Sequence, residues 1–393
     1  HAPTPVLARC CICAMTVLIQ RTAHCQCGHP IFFRNHLCLH CGRALGFDPD
    51  QATIMSLEAG DEDSHVATWR GAGASVAGRV YRRCANFSLA PQCNWLVLQS
   101  EGVHQELCRC CRLNRTVPDQ SIAANALLWN KVEIAKRRLV SSLIALGLPV
   151  ASRVSEDTQQ GLAFDLLVGA EPAAITTGHE QGIITINVTE ADDVTRETIR
   201  NAMNEPYRTL LGHVRHESGH YYWGRLLDGS RWHDPFRMLF GDERQDYTTA
   251  LQHYYCHGPA LDWENTCVSA YASAHPWEDW AETWAHYLHM VDTLDTATGF
   301  GIADNHLSLL QDPFDESVLC CNDQEQVRPD QKFLSFVNRW SGLTSVLNEF
   351  SLGMGLPDFY PFVLSSGAVT KLHFVHRFIE AFSDSTTPPA AAT

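Results

Sequence analysis

The chain has 393 residues, 45% of them hydrophobic and 19% charged, which is enough to bury a large core and to form two or three domains. A net charge of −15 argues against a general nucleic-acid binder, although the N-terminal third is close to balanced and the acidic excess lies beyond it. No apolar run approaches the roughly 18 residues of a membrane span, so a cytoplasmic protein without membrane contact is expected.

Residues 1–22 place Cys10, Cys11 and Cys13 ahead of the apolar run from Met15 to Ile19. Arg9, Gln20 and Arg21 bracket too short an apolar core for a signal peptide, and the segment reads as a disordered lead-in. From Cys25 the cysteines acquire spacing. Cys25-Gln-Cys27-Gly28 and Cys38-Leu-His-Cys41-Gly42 form two knuckles around Pro30 to Phe33. Thiolates on tight turns, each freed by a glycine, can close a tetrahedral four-sulfur zinc site. Because the first knuckle is one residue shorter than C-x2-C, His24 or Cys13 could replace a thiolate there.

A second set, Cys84, Cys93, Cys108 and Cys111, flanks the strand-like stretch Asn94 to Leu98 and leaves Cys110 spare. Knuckle spacing without a secretory signal favours metal over disulfides. Residues 23–120 therefore read as a zinc-ribbon region with two structural zinc sites. Cys256, Cys267, Cys320 and Cys321 lack such spacing and are expected to be buried thiols.

Ser121 to Leu146 reads as one amphipathic helix joining the two halves, with Leu127, Val132, Ala135, Leu139, Leu143 and Leu146 inward and Gly147 and Pro149 ending it. Lys136, Arg137 and Arg138 are then its solvated face. Strands are expected at Phe164–Val168 and Ile183–Val188.

The next helix carries the chemistry. Pro206 suits its first turn, and Tyr207, Leu210, Leu211, Val214 and Tyr221 recur at helical spacing. His216 and His220 are four apart and share a face, with Glu217 turned toward their open side. Two neutral imidazoles can hold a zinc ion, and the carboxylate between them can take a proton from a water that the ion has acidified. Metzincins need a glycine three residues after the second histidine and a third histidine three residues further, but the chain has Trp223 and Leu226. The third ligand must come from elsewhere.

A second helix opens at Pro276, buries Trp277, Trp280, Ala281, Trp284, Leu288 and Val291, and sets Glu278 and Glu282 one turn apart. Two carboxylates so close need a cation or donors between them, which suits one at the metal and one behind it. Glu282, His275 and His286 remain alternatives to Glu278 as the third ligand. Beyond Val291 the chain reads as helical at Phe333–Leu347 and Thr370–Phe382, with a disordered tail at 383–393.

Glu278-Asp-Trp-Ala-Glu282 downstream of His216-Glu-Ser-Gly-His220 resembles the gluzincin pattern. That resemblance implies Glu278 as third zinc ligand, Glu282 as the acceptor of the other ring N–H of His216, and Tyr271 as a donor to the tetrahedral oxyanion. It also implies a sheet above the metal helix whose edge pairs with an extended peptide, which makes residues 183–188 either a substrate ledge or a core strand. Cys108-Arg-Cys-Cys-Arg-Leu-Asn-Arg115, Trp129, Ala135-Lys-Arg-Arg-Leu139, the two motifs above and Tyr360-Pro-Phe-Val363 together resemble bacterial zinc-binding metallopeptidases with an N-terminal zinc-ribbon region. The same resemblance marks Phe240 to Tyr247, a charged stretch that either positions the metal helix through salt bridges or walls the cleft.

The expectation is an α+β chain, a zinc ribbon at 23–120 followed at 121–382 by a mostly helical gluzincin-like domain with a small sheet. It would be a zinc hydrolase acting on a peptide or protein, with one catalytic and two structural zinc ions and Glu217 as general base. The alternative is a zinc-stabilised binding protein whose ribbon region recruits a protein or nucleic acid and whose peptidase-like part turns over little.

Overall fold

In the computed structural model the described residues are 21–60, 67–72, 78–102, 104–169, 175–202, 205–302, 312–319 and 330–386. The expectations for residues 1–20, Cys320, Cys321 and 387–393 fall outside them.

A short antiparallel pair, β1 (Thr22–His24) and β2 (Pro30–Phe32), carries the first knuckle. Behind it, β3 (Leu45–Asp48), β4 (Thr53–Ala59), β5 (Trp69–Gly71), β6 (Val80–Arg83) and β7 (Leu96–Leu98) form an antiparallel meander in chain order. Its core is aromatic. Phe47 packs against Phe33 and Trp95 with ring centroids 4.7 and 5.0 Å apart, and Trp95 is fully buried.

The second part opens with β8 (Asn114–Thr116), directly after the last knuckle, and α1 (Ala123–Ala145). β8 pairs in parallel with β9 (Ala163–Leu167), β9 with β11 (Ile183–Asn187), and β11 antiparallel with β10 (Gly178–Glu180), giving the order β10-β11-β9-β8. The strand leaving the ribbon region thus completes the sheet of the helical part. Gln181 and Gly182, at φ 48° and 84°, form the two-residue turn between β10 and β11, a primed geometry that matches strand twist. β11 is therefore an interior strand. A peptide ledge at 183–188 does not hold, because both flanks of β11 are already paired and the edge strands are β10 and β8.

Val132, Ala135, Leu139, Leu143 and Leu146 are buried as expected, but Leu127 is 72% exposed. The basic trio is not a solvated face either: Lys136 and Arg137 are buried and Arg138 is half-buried. The helix is enclosed by the ribbon region on one side and by the metal-bearing helices on the other. Its cations are matched rather than solvated: Lys136 Nζ lies 2.7 Å from Glu133, Arg137 donates to the Pro91 carbonyl at 3.2 Å, and Arg138 pairs with Asp292 at 2.6 Å.

Helices follow: α2 (Asp193–Ala202), α3 (Leu210–Tyr222), α4 (His233–Phe240), α5 (Tyr247–His257), α6 (Trp263–Thr266), α7 (Pro276–Gly299), α8 (Gln331–Gly353) and α9 (Ser366–Thr386). α3 starts at Leu210 rather than in the turn of Pro206, because Thr209 caps it by accepting from the Gly212 N–H at 3.0 Å. α9 carries helical backbone to Thr386, so the expected tail from Ser383 begins inside a helix. Cys267 is buried as expected, whereas Cys256 lies exposed on α5. No helix among the described residues is long and apolar enough to cross a membrane.

Candidate metal centre

The packing of α3 on α7 builds the centre. Trp280 donates its indole N–H to the Gly219 carbonyl at 2.8 Å, and Trp284 donates to Ser218 Oγ at 3.1 Å, so two fully buried tryptophans hold the helices in register. Gly219 permits the approach, since a Cβ there would stand 3.0 Å from Ala281 Cα. On the adjoining faces, His216, His220 and Glu278 bring ligand atoms to within 4.8 Å of one another.

Their contacts leave a gap that a cation fits. His216 Nδ1 lies 2.7 Å from Glu282 Oε1, so an N–H donated there leaves a lone pair on Nε2. That Nε2 is 3.2 Å from His220 Nε2 and 3.0 Å from Glu278 Oε2, and His220 Nε2 is 3.4 Å from Glu278 Oε1. Glu278 Oε2 is nonetheless buried without a hydrogen-bond partner among the described residues. Three acceptor groups that converge on one point with an orphaned carboxylate oxygen suit a positive ion. Burial opposes the charge on Glu278, but His220 and His216 hold its carboxyl well below the usual range. Burial likewise opposes a charge on His216, but Glu278 and Glu282 raise its basicity well above the usual imidazole value.

Glu282 does not enter the triad but stands behind it. Its Oε1 accepts from His216, its Oε2 accepts from Ser269 Oγ at 2.6 Å, and Ser269 Oγ itself accepts from the Ala272 N–H. Burial would raise this carboxyl, and His216 brings it down to about 2. His275 and His286 are elsewhere: His275 Nδ1 accepts from the Trp277 N–H at the start of α7, and His286 Nδ1 meets the Tyr360 hydroxyl at 2.6 Å. Glu217 is buried beside the triad, and its carboxylate has no hydrogen bond among the described residues.

Two phenols border Glu278. The Tyr271 ring centroid is 6.1 Å from that of His216, and burial, then Glu278, pushes its hydroxyl pKa well up, so it stays a donor. Tyr247 is closer still, donating to Glu278 Oε1 at 2.7 Å. Neither Tyr247 nor Ser269 was singled out in the sequence as a site residue, though Tyr247 ends the charged stretch whose role was left open. Within that stretch Glu243 ties down α4, rather than the metal helix, through Arg237 and His233, and Tyr247 reaches the centre.

In the ribbon region both cysteine tetrads assemble. Cys25, Cys27, Cys38 and Cys41 cluster with Cys25 Sγ 3.6 Å from Cys41 and Cys27 Sγ 3.7 Å from Cys38. Cys27 occupies the fourth position despite its short knuckle, so His24 is not needed. Burial would raise the Cys25 thiol, yet the Cys27 backbone N–H and the Ser56 hydroxyl lower it to about 6. Cys84, Cys93, Cys108 and Cys111 form the second tetrad, fully buried, with Cys93 Sγ 3.7 Å from Cys108 and the Cys108 N–H on Cys84 Sγ. Cys110 is buried outside it. Sulfur-only donors in a closed set fit structural zinc.

Comparison with known proteins adds the family. A family model described as "Putative zinc-binding metallo-peptidase" matches residues 125–378, and a zinc-ribbon domain model matches residues 22–122. The chain is 39% identical over 363 residues to uncharacterised proteins of Mycobacterium tuberculosis and Mycobacterium bovis, covering 92% of this chain and 96% of each relative. No solved structure matches.

Proposed function

The chain belongs to the zinc-binding metallo-peptidase family, and from that premise we propose that it hydrolyses peptide bonds with a zinc ion held by His216, His220 and Glu278. The carrying observation is the convergence of those three side chains around the unpartnered Glu278 Oε2. Bound there, zinc would supply Lewis acidity to a water and to the scissile carbonyl.

The remaining chemistry falls to the chain. Glu217, buried and adjacent in the chain to His216, would take the proton of the attacking water and return it to the leaving amine nitrogen. Glu282, steadied by Ser269, would fix the tautomer and ring plane of His216. Tyr271 would donate to the developing oxyanion, and Tyr247 would orient Glu278. The two cysteine tetrads would each hold a structural zinc, giving one catalytic and two structural ions across these three sites, with a peptide or protein as substrate.

The test is Glu217→Gln in the zinc-loaded chain, assayed on a denatured-protein or peptide library. Retained zinc with lost cleavage is the expected result; cleavage at the parental rate overturns the assignment.

A further inference from the structure

At the junction of α8 and α9, far along the chain from His216, Glu278 and the cysteine tetrads, Asp330, His376 and Glu380 bring ligand atoms within 4.8 Å of one another. We infer that these three side chains form a fourth metal site, taking a divalent first-row transition ion such as zinc and clamping the start of α8 onto α9.

The local geometry explains why the residues are there. Asp330 caps α8, with Oδ1 accepting from the Phe333 N–H at 3.0 Å, which turns Oδ2 toward α9. His376 and Glu380 are four apart on α9 and share a face. His376 Nε2 stands 3.8 Å from Asp330 Oδ2 and 3.5 Å from Glu380 Oε1, too far for good hydrogen bonds, and it is a buried polar atom without a partner among the described residues. His376 as a whole is 7% exposed. An imidazole nitrogen buried and aimed between two carboxylates, with neither close enough to satisfy it, leaves the separation an ion would occupy.

The donor set names the ion class. One imidazole and two carboxylates exclude a sulfur-preferring ion, and the imidazole disfavours calcium or magnesium, which take oxygen alone. Two carboxylates balance a 2+ charge. The support around the site is of the metal-binding kind. His376 Nδ1 meets the Tyr287 hydroxyl of α7 at 2.8 Å, which fixes the ring, and His373 Nε2 meets Asp330 Oδ2 at 3.2 Å. Tyr287 lies on the helix that bears Glu278 and Glu282, so an ion here would tie α8 and α9 to the platform of the catalytic centre.

The proposal does not depend on hydrolysis. The full-length chain, saturated with zinc and desalted, is compared by elemental analysis with Glu380→Gln and Asp330→Asn. Glu380 is partly exposed, and Asn keeps an oxygen for the α8 cap. Each variant should hold about one ion fewer than the parent, and zinc loading should raise the parent's Tm by more than theirs. Equal zinc counts in parent and variants overturn the site. A cobalt titration of the parent loaded with only about three equivalents of zinc, enough for the triad and the two tetrads, is the second reading. One further ion with d–d bands and no thiolate charge transfer supports the site, and no further binding overturns it whatever the variants do.

Discussion

Gly219 and Ala281 stand so close that a Cβ on the glycine would lie 3.0 Å from the Ala281 Cα and 3.2 Å from the Trp284 ring. The glycine of the His216–His220 motif is thus a spacer between α3 and α7, and the distance from His216 to Glu278 depends on it. Gly219→Ala should push the helices apart, costing about 1–3 kcal/mol as overpacking does, and should lower zinc affinity at the triad while leaving the ribbon tetrads filled. Chemical denaturation alongside site-resolved zinc counting measures both. Unchanged zinc affinity would separate the glycine from the centre.

Glu282 and Ser269 would act on a zinc ion at the triad only through His216. Glu282→Ala removes the acceptor of the His216 ring N–H and should weaken zinc binding at the triad about 10–100-fold, with Ser269→Ala a smaller effect in the same direction. Competition with a chelator of known affinity gives the comparison. A loss of stability with unaltered zinc affinity would reduce Glu282 to a structural residue.

The two phenols should separate by readout. Tyr271→Phe should lower kcat about 10²–10³-fold with zinc content retained, as removal of an oxyanion donor does. Tyr247→Phe removes the hydroxyl from Glu278 Oε1 and should chiefly weaken zinc binding. A reversal of the two phenotypes would exchange their roles.

The centre was legible in the sequence because its parts lie at helical spacings. His216 and His220 on one helix, and Glu278 and Glu282 on another, declare a shared face before any packing is known. Tyr247 and Ser269 have no such signal, since α5 and the loop before α7 reach the site only through tertiary contact. Burial of Lys136 and Arg137 was likewise hidden: a Lys-Arg-Arg run looks solvated until the ribbon region closes over it. The ledge at 183–188 failed for a related reason, because local pattern marks a strand but not its neighbours in a sheet. The cysteine tetrads, by contrast, were readable almost residue by residue, their knuckles being local turns.

Glu190 sets an acid limit. It accepts from Thr177 Oγ1 at 2.7 Å and pairs with Arg208 at 3.1 Å and His213 Nδ1 at 2.9 Å, fastening the segment after β11 to the start of α3. Burial alone would raise its carboxyl, but His213, Thr177 and Arg208 hold it at about 2 against 4.5 when free. A carboxyl depressed in the folded chain stabilises fully above its unfolded pKa, and that contribution is lost as pH falls from about 4.5 through about 2. A displacement of that size is worth about 3 kcal/mol. Glu190→Gln should therefore lower stability at pH 7 and flatten its dependence on pH below 5. An acid unfolding profile identical to the parent's would rule this out.

Lys136 and Arg137 couple the ribbon region to the helical part by charge. Burial would raise the Cys93 thiol, but Cys108, Cys111 and Cys84 draw it down and the Arg137 charge adds to that. Lys136 lies near Cys110 and Cys111 while pairing with Glu133, so α1 supplies buried cations beside a tetrad that is anionic when it holds zinc. Arg137→Met should speed zinc release from the Cys84, Cys93, Cys108 and Cys111 tetrad without touching the other one. Lys136→Met additionally strands the Glu133 carboxylate in the core and should cost about 3–5 kcal/mol, partly recovered by Glu133→Gln in the same chain. Zinc transfer to a chromogenic chelator, followed in parent and variants, reports the first effect; unfolding curves report the second. Equal release rates in parent and Arg137→Met would mean that the tetrad is balanced by its own backbone N–H groups, and that α1 contributes packing alone.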